Sequence, residues 1–126
     1  MAEHSESVRV AWIDTDAGGR IHFTAPFRWA ENAEMGLWRK LGLLEEGRGD
    51  YPRRRVEAEY LRVLVFDDEV EIRIRVDNVG HTSIRFVWEG VHAGEVAITG
   101  AHTIVHVDEN GRPAPIGDRE RALLTT

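Results

Sequence analysis

One long helical pattern, in a chain whose other segments have strand patterns, limits what this sequence can fold into. Its apolar side chains recur every four residues and therefore lie on one face of an α-helix: Trp29, Ala33, Leu37 and Leu41. Thr24 is a suitable N-cap, Pro26 lies in the first turn, where no N–H is needed, and Gly42 can take the left-handed conformation that ends a helix. These signals predict a largely buried helix from about Pro26 to Leu41.

The segments on either side of the helix alternate between apolar and polar residues, as half-buried strands do. The predicted strands cover residues 8–13 before the helix and residues 56–66, 70–76, 84–88 and 96–107 after it. We expect a polar connection over residues 43–52 and an irregular tail after a last hairpin at residues 108–111. An antiparallel sheet of about five strands has one broad apolar face, and the single long helix is available to cover it. The sequence therefore predicts an α+β roll forming one domain over residues 1–126.

Composition and charge exclude several classes of function. The net charge is −6, from 16 Lys and Arg against 22 Asp and Glu, which argues against nucleic-acid binding. The chain has no cysteine, so disulfides, thiolate metal sites and a cysteine nucleophile are excluded, and its histidines are too scattered to predict a metal site. No apolar run approaches the roughly 20 residues that span a bilayer, and the polar, acidic N-terminus is unlike a signal peptide. We expect a cytoplasmic protein that binds neither nucleic acid nor membrane.

Two carboxylates lie in the turn that joins the first strand to the helix. Asp14 and Asp16 precede Gly18 and Gly19, whose backbone freedom allows a positive φ or a close approach. The helix N-terminus that follows presents free N–H groups and the positive end of the helix dipole, both of which favour a developing negative charge. A base beside an oxyanion site is part of what acyl transfer needs. A turn aspartate also commonly binds its own backbone, so the structural alternative stays open.

The sequence resembles the hotdog-fold thioesterases, specifically the 4-hydroxybenzoyl-CoA thioesterase-like branch. Three motifs carry the resemblance: Asp14-Thr15-Asp16-Ala17-Gly18-Gly19, Ile21-His22-Phe23 and Arg28-Trp29-Ala30-Glu31. Later segments also resemble the family pattern, so the resemblance covers roughly residues 8–116. It implies a hotdog fold, in which an antiparallel sheet of about five strands wraps around one long central helix.

The resemblance implies two catalytic positions. Asp16 occupies the position of the carboxylate that acts as nucleophile or general base at a thioester carbonyl. Phe23 occupies the position whose backbone N–H polarises that carbonyl, in agreement with the free donors expected at a helix start.

Four further residues are predicted to bind substrate: Gly19, His22, Glu31 and Tyr51. Glu31 matches an acidic position that faces the acyl group in some members, and Tyr51 matches a polar position near the site. His22 and Phe23 depart from the family's usual residues at their positions, which bears on acyl specificity more than on the reaction.

The implied activity is hydrolysis of an acyl- or aryl-CoA thioester to the free acid and CoA, without a cofactor, by a homodimer or a dimer of dimers. The resemblance leaves coenzyme A and an acyl carrier protein open as carriers. A hotdog hydratase or dehydratase is an alternative, because such enzymes usually place a histidine with a carboxylate at the helix and His22 is available. A non-catalytic acyl-ligand binder is the other alternative. The run Arg53-Arg54-Arg55 is suited either to CoA phosphates or to a solvated strand edge.

Overall fold

The computed structural model describes all 126 residues, and its long elements follow the predicted order of strand, helix and four strands. The strands and helices are β1 Glu3–Arg9, α1 Ala25–Lys40, α2 Leu44–Gly49, β2 Arg53–Tyr60, β3 Glu69–Val79, β4 Ser83–His92, β5 Glu95–Val105 and α3 Asp118–Thr125. All neighbouring strands pair antiparallel, in the order β1-β3-β4-β5-β2. The predicted α+β hotdog architecture, with about five strands and one long central helix, is confirmed.

Helix α1 supplies the core on one side of the sheet. Trp29, Ala33 and Leu37, predicted to share its apolar face, are 6%, 0% and 1% exposed. They pack in one cluster with the buried residues of β3, such as Ile72 and Ile74. The helix ends as predicted, because Gly42 takes a left-handed conformation with φ of +73°.

The sheet has an open edge at β2. In β3, buried and exposed side chains alternate as expected for a half-buried strand. Strand β2 pairs only with β5, and nearly all of its residues are exposed. Its free side therefore leaves a row of backbone groups without sheet partners.

The first strand lies earlier in the chain than predicted. It covers Glu3–Arg9, whereas residues 12–14 form a short 3-10 turn that leaves Trp12 and Ile13 exposed. The apolar alternation at residues 8–13 did not mark the strand, because the side chains that β1 presents to α1 are polar. A Cβ at Gly36 of α1 would collide with the side chains of His4 and Glu6, so this glycine lets the helix approach the strand closely.

Two segments predicted to be irregular are helical. Helix α2 lies within the expected polar connection, and its Gly47 packs so closely against Trp38 that a Cβ would collide with the indole. Helix α3 lies in the tail, where Leu124 is fully buried and its carbonyl accepts a hydrogen bond from the Ala2 N–H. Both helices are too short to be stable alone, and packing against the rest of the protein stabilises them.

Strand β2 is shorter than predicted and ends at Tyr60. The chain then leaves the sheet and runs back toward the turn before α1, where Val65 pairs with Arg20 and the Leu64 carbonyl accepts from the Ile21 N–H. Leu64 is buried in the core. This segment therefore braces the turn that carries the predicted catalytic aspartate.

None of the helices has the length and apolar character that a membrane crossing requires.

Candidate active site

Asp16 lies in an exposed turn and uses one carboxylate oxygen to hold that turn. Its Oδ1 accepts from the Gly18 N–H at 2.8 Å and from the Arg20 N–H at 3.4 Å. Gly19, with φ of +80°, donates its N–H to the Asp16 carbonyl. Oδ2 makes no hydrogen bond within the chain, so the carboxylate can stabilise the turn and still present one free oxygen.

Asp14, in contrast, is fully occupied. It is 6% exposed, its Oδ1 accepts from Nη2 of Arg28 at 2.7 Å, and its Oδ2 accepts from the Ala11 N–H at 2.9 Å. Its carbonyl accepts from the His22 N–H at 2.6 Å. Asp14 therefore ties the turn to α1 and orients the segment that leads into the helix.

The backbone N–H of Phe23 has no acceptor at the start of α1. The neighbouring groups are used, since the Ala25 N–H donates to the His22 carbonyl and the Thr24 N–H donates to Nδ1 of His22. Phe23 itself is 65% exposed. A free donor at the positive end of a helix dipole is suited to stabilise an oxyanion.

His22 packs along this peptide segment. Its ring stacks on Phe23 with centroids 4.6 Å apart, and its Nδ1 lies 2.7 Å from Oγ1 of Thr24. The Thr24 N–H donates to Nδ1, which assigns the proton of the neutral ring to Nε2. Thr24 occupies the predicted N-cap position, but its hydroxyl binds His22 instead of capping the helix.

Tyr60, at the end of β2, reaches the same segment. Its hydroxyl donates to the carbonyl of Phe23, and burial raises the pKa of Tyr60. The sequence pattern gave no signal for this role, because Tyr60 follows the ordinary alternation of a strand. Its contact fixes the residue that carries the free N–H.

Glu31 lies farther along α1, where β2 begins. Its exposed carboxylate has Oε2 3.5 Å from Nη2 of Arg53. Nη1 of Arg53 donates to Oε1 of Glu34 at 2.6 Å. Strand β2 is therefore held at both ends. Tyr60 binds Phe23 in the segment just before α1, and Arg53 contacts Glu31 and Glu34 on α1.

Glu34 is the centre of a buried polar cluster that sequence analysis missed. It is 1% exposed and accepts from His102 Nε2 at 2.8 Å and from Trp38 Nε1 at 2.9 Å. Burial alone raises the pKa of Glu34, but the His102 hydrogen bond, the Arg53 charge and the Trp38 hydrogen bond outweigh it, so the pKa falls below its ordinary value. Glu34 is therefore an ionised, fully paired carboxylate.

The three consecutive arginines have different surroundings. Arg53 turns inward to Glu34, whereas Arg54 and Arg55 are exposed, with Nη2 of Arg55 3.6 Å from Oε2 of Glu57. Arg53 is therefore held by a contact within the protein, whereas Arg54 and Arg55 present their side chains at the exposed strand edge.

Tyr51 is not brought to the Asp16 turn. Its ring packs between Trp38 and His106, with centroids 5.3 Å and 5.1 Å away. Burial and then the negative charge of Glu120 raise the pKa of Tyr51 to about 12. Trp38 lies about 20 Å of helix from the start of α1 at Ala25, so the role of Tyr51 in substrate binding stays a prediction.

The comparisons with known proteins agree with this architecture. A model of the thioesterase-like superfamily matches residues 10–122. YsmA, an uncharacterized protein of Bacillus subtilis (strain 168), is 27% identical over 120 residues, which cover 93% of this chain and 82% of YsmA.

Solved structures are similar over nearly the whole chain. A thioesterase from Thermus thermophilus, complexed with coenzyme A and Zn, is 27% identical, with a TM-score of 0.88 and 98% of each chain covered. A predicted thioesterase from Bacillus stearothermophilus is 25% identical, with a TM-score of 0.88, 98% of this chain and 95% of that chain being covered. In the present chain no three His, Asp or Glu side chains lie together as a metal site requires, so its residues do not form a ready-made zinc site.

Proposed function

Because this chain belongs to the thioesterase-like superfamily, we propose that it hydrolyses an acyl- or aryl-CoA thioester to the free acid and CoA. One observation carries the proposal: a free backbone N–H at Phe23 and a free carboxylate oxygen at Asp16 lie at the two ends of one short, braced segment before α1. The thioesterase from Thermus thermophilus, which binds coenzyme A, supports the choice of carrier.

In the proposed reaction the Phe23 N–H donates to the thioester carbonyl oxygen, and the helix dipole favours the negative charge that grows there. Asp16 then acts through Oδ2 in one of two ways. It takes a proton from a water molecule that attacks the carbonyl carbon, or it attacks that carbon itself and forms an anhydride that water cleaves. In both routes the carbon–sulfur bond breaks, the CoA sulfur leaves and gains a proton, and the acyl group leaves as the free acid.

The acyl group is expected to lie between α1 and β2. The contact of Tyr60 with Phe23 closes one end of this strip and the contact of Arg53 with Glu31 closes the other. We define the acyl groove as the strip between these two contacts. Gly19 and His22 lie at its thioester end, and Glu31 lies at its far end, where it can contact the acyl group.

We further propose that the chain works as a homodimer, or as a dimer of such dimers, joined through β2. A free sheet edge is an unprotected pairing surface in a monomer. Large apolar residues lie exposed on and beside this edge: Val56, Tyr60, Leu61 and Val63, with exposures of 49%, 45%, 54% and 64%. Pairing at β2 would cover them and place the acyl groove at the subunit boundary.

The experiment that tests the function is thiol release from a panel of acyl- and aryl-CoA thioesters, with Asp16→Asn beside the wild type. We expect turnover of at least one thioester and a loss of at least about 100-fold in kcat for the variant. The absence of thiol release from every thioester and from acyl carrier protein conjugates would leave a binding protein instead.

The chain offers a matched control in a second aspartate turn. Oδ1 of Asp108 accepts from the N–H groups of Asn110 and Arg112 at 2.9 Å and 3.0 Å, and Gly111 has φ of +77°. Asp108→Asn makes the same chemical change in the same kind of turn, away from α1. Its kcat should equal that of the wild type, and an equal loss in both variants would show that Asp16 acts only through the turn.

No observation favours the hydratase alternative. A histidine base needs an unprotonated nitrogen, and that nitrogen in neutral His22 is Nδ1, which already accepts from the Thr24 N–H. Hydration of an enoyl-CoA by the wild type is the measurement that would revive it.

A further inference from the structure

The indole N–H of Trp88 is the one buried side-chain polar atom in this protein without a hydrogen-bond partner. Trp88 is 4% exposed and lies on β4, on the sheet face that packs against α1. The buried Trp38 shows the usual arrangement, since its Nε1 donates to Glu34. A buried donor left unpaired destabilises the fold, and in native structures it calls for an explanation.

The sequence makes room for this indole. A Cβ on Gly100 would collide with Cζ2, Cε2 and Cη2 of Trp88, so the six-membered ring of the indole, whose Cε2 is bonded to Nε1, lies over the bare backbone of β5. Gly100 pairs with Trp88 on one side and with Ala58 of β2 on the other. The indole therefore extends from β4 toward the open edge of the sheet.

This position adjoins both elements that bound the proposed acyl groove. Phe27, in the first turn of α1 and four residues after Phe23, meets Trp88 edge to face, with centroids 6.4 Å apart. From the other side, Ala58 comes two residues before Tyr60, whose hydroxyl binds the Phe23 carbonyl. Phe27 of α1 and Ala58 of β2 thus connect the proposed thioester end, at Phe23, with the unpaired donor of Trp88.

We propose that Trp88 is a specificity-determining residue whose Nε1–H donates a hydrogen bond to an oxygen atom on the acyl group of the substrate. The inference rests on the proposed function and deepens it by naming a ligand class: acyl groups with a hydroxyl or keto oxygen beyond the thioester carbonyl. An indole N–H only donates, so the matching atom must be an acceptor. Because the donor is already desolvated in the free protein, pairing it on binding favours an oxygenated acyl group over an analogue without that oxygen.

Phe27 is the side chain that must yield for the acyl group to arrive. It is half-buried in the first turn of α1 and lies directly against the indole.

The test uses pairs of CoA thioesters that differ in one oxygen: each hydroxybenzoyl-CoA against the methylbenzoyl-CoA with the same ring position, and 3-hydroxyacyl-CoAs against acyl-CoAs of the same length. The wild type should prefer the oxygenated member of at least one pair by about tenfold in kcat/KM. Trp88→Phe, which removes the donor and keeps an aromatic ring, should lower kcat/KM for that member about tenfold and leave its partner within about twofold. The control Trp29→Phe changes another buried tryptophan and should keep the preference.

The outcomes separate this inference from the proposed function. Hydrolysis with no preference in any pair, or a preference that survives in a folded Trp88→Phe variant, overturns the inference and leaves the thioesterase intact. If no thioester is hydrolysed, the function fails, and Kd values for the same pairs test the inference. A binding preference that Trp88→Phe abolishes then supports it, and equal binding of both members overturns it.

Discussion

His102 and Glu34 join the middle of β5 to α1 through a hydrogen bond of 2.8 Å between Nε2 and Oε1, with both side chains at least 96% buried. Arg53 adds a second donor to the same oxygen, from β2. One carboxylate thus holds three elements together, and two of these, α1 and β2, bound the proposed acyl groove.

Replacing the carboxylate should loosen that junction. Glu34→Gln removes the buried negative charge that accepts from His102 and pairs with Arg53, leaving Arg53 only its longer contact with the exposed Glu31, and we expect it to lower the free energy of unfolding by about 3 kcal/mol. Urea denaturation measures this. Glu45→Gln, which breaks an exposed pair with Arg48, is the control and should leave the urea midpoint unchanged; an equally small effect of Glu34→Gln would contradict the role of the cluster.

The stability of the protein should also depend on pH through Glu34. Its neighbours lower its pKa from the ordinary value of 4.5, so its stabilising contribution is complete above that value and is lost as the pH falls through the folded-state pKa. Below pH 4.5 the wild type should therefore lose free energy of unfolding more steeply than Glu34→Gln. Denaturation curves from neutral to acid pH should converge for the two proteins, and a constant difference between them would refute the assignment.

Tyr60 should act as a positioning residue for the Phe23 segment. Tyr60→Phe removes the hydrogen bond to the Phe23 carbonyl and keeps the ring, so the free energy of unfolding should change by only about 1 kcal/mol. We expect kcat for thioester hydrolysis to fall about 10- to 100-fold, because the oxyanion donor loses its fixed position. A change in KM alone, with kcat retained, would show that Tyr60 only lines the groove.

The open edge of β2 should be needed for association. Val56→Lys places a charge on this edge, where charged side chains oppose strand pairing. We expect the variant to remain folded, to have the mass of a single chain in light scattering, and to lose thiol release. A variant that is dimeric, or monomeric and fully active, would exclude β2 as the interface that completes the site.

The fold could be predicted to the extent that local periodicity determines it. The four-residue recurrence in α1 and the alternation in β3 gave both elements nearly their observed bounds. The bounds of the first strand were predicted too late in the chain, because the inward side chains of β1, such as His4 and Glu6, are polar and need Gly36 as a neighbour. That neighbour lies on a different element, which no local pattern reveals.

Only the part of the candidate site that lies within one short sequence segment could be predicted. Asp16 and Phe23 lie seven residues apart in one segment, so turn chemistry and a helix start were enough to propose them together. The pairing of β2, β4 and β5 places Tyr60 and Arg53 beside α1 and lays Trp88 over β5. Strand pairing is set by the assembled sheet, so the roles proposed for these residues could not be predicted from local sequence patterns.

The two aspartate turns, at Asp16 and Asp108, show what a motif in this protein does and does not encode. Both have the spacing Asp-x-x-Gly, the same hydrogen bonds from backbone to Oδ1 and the same left-handed glycine. The two turns have the same local structure. Only the Asp16 turn leads through one short segment into a helix, and in that segment the Phe23 N–H has no acceptor. A motif search that scores residues alone would rank the copies equally, whereas one that also requires an unpaired helix-start donor would select the first.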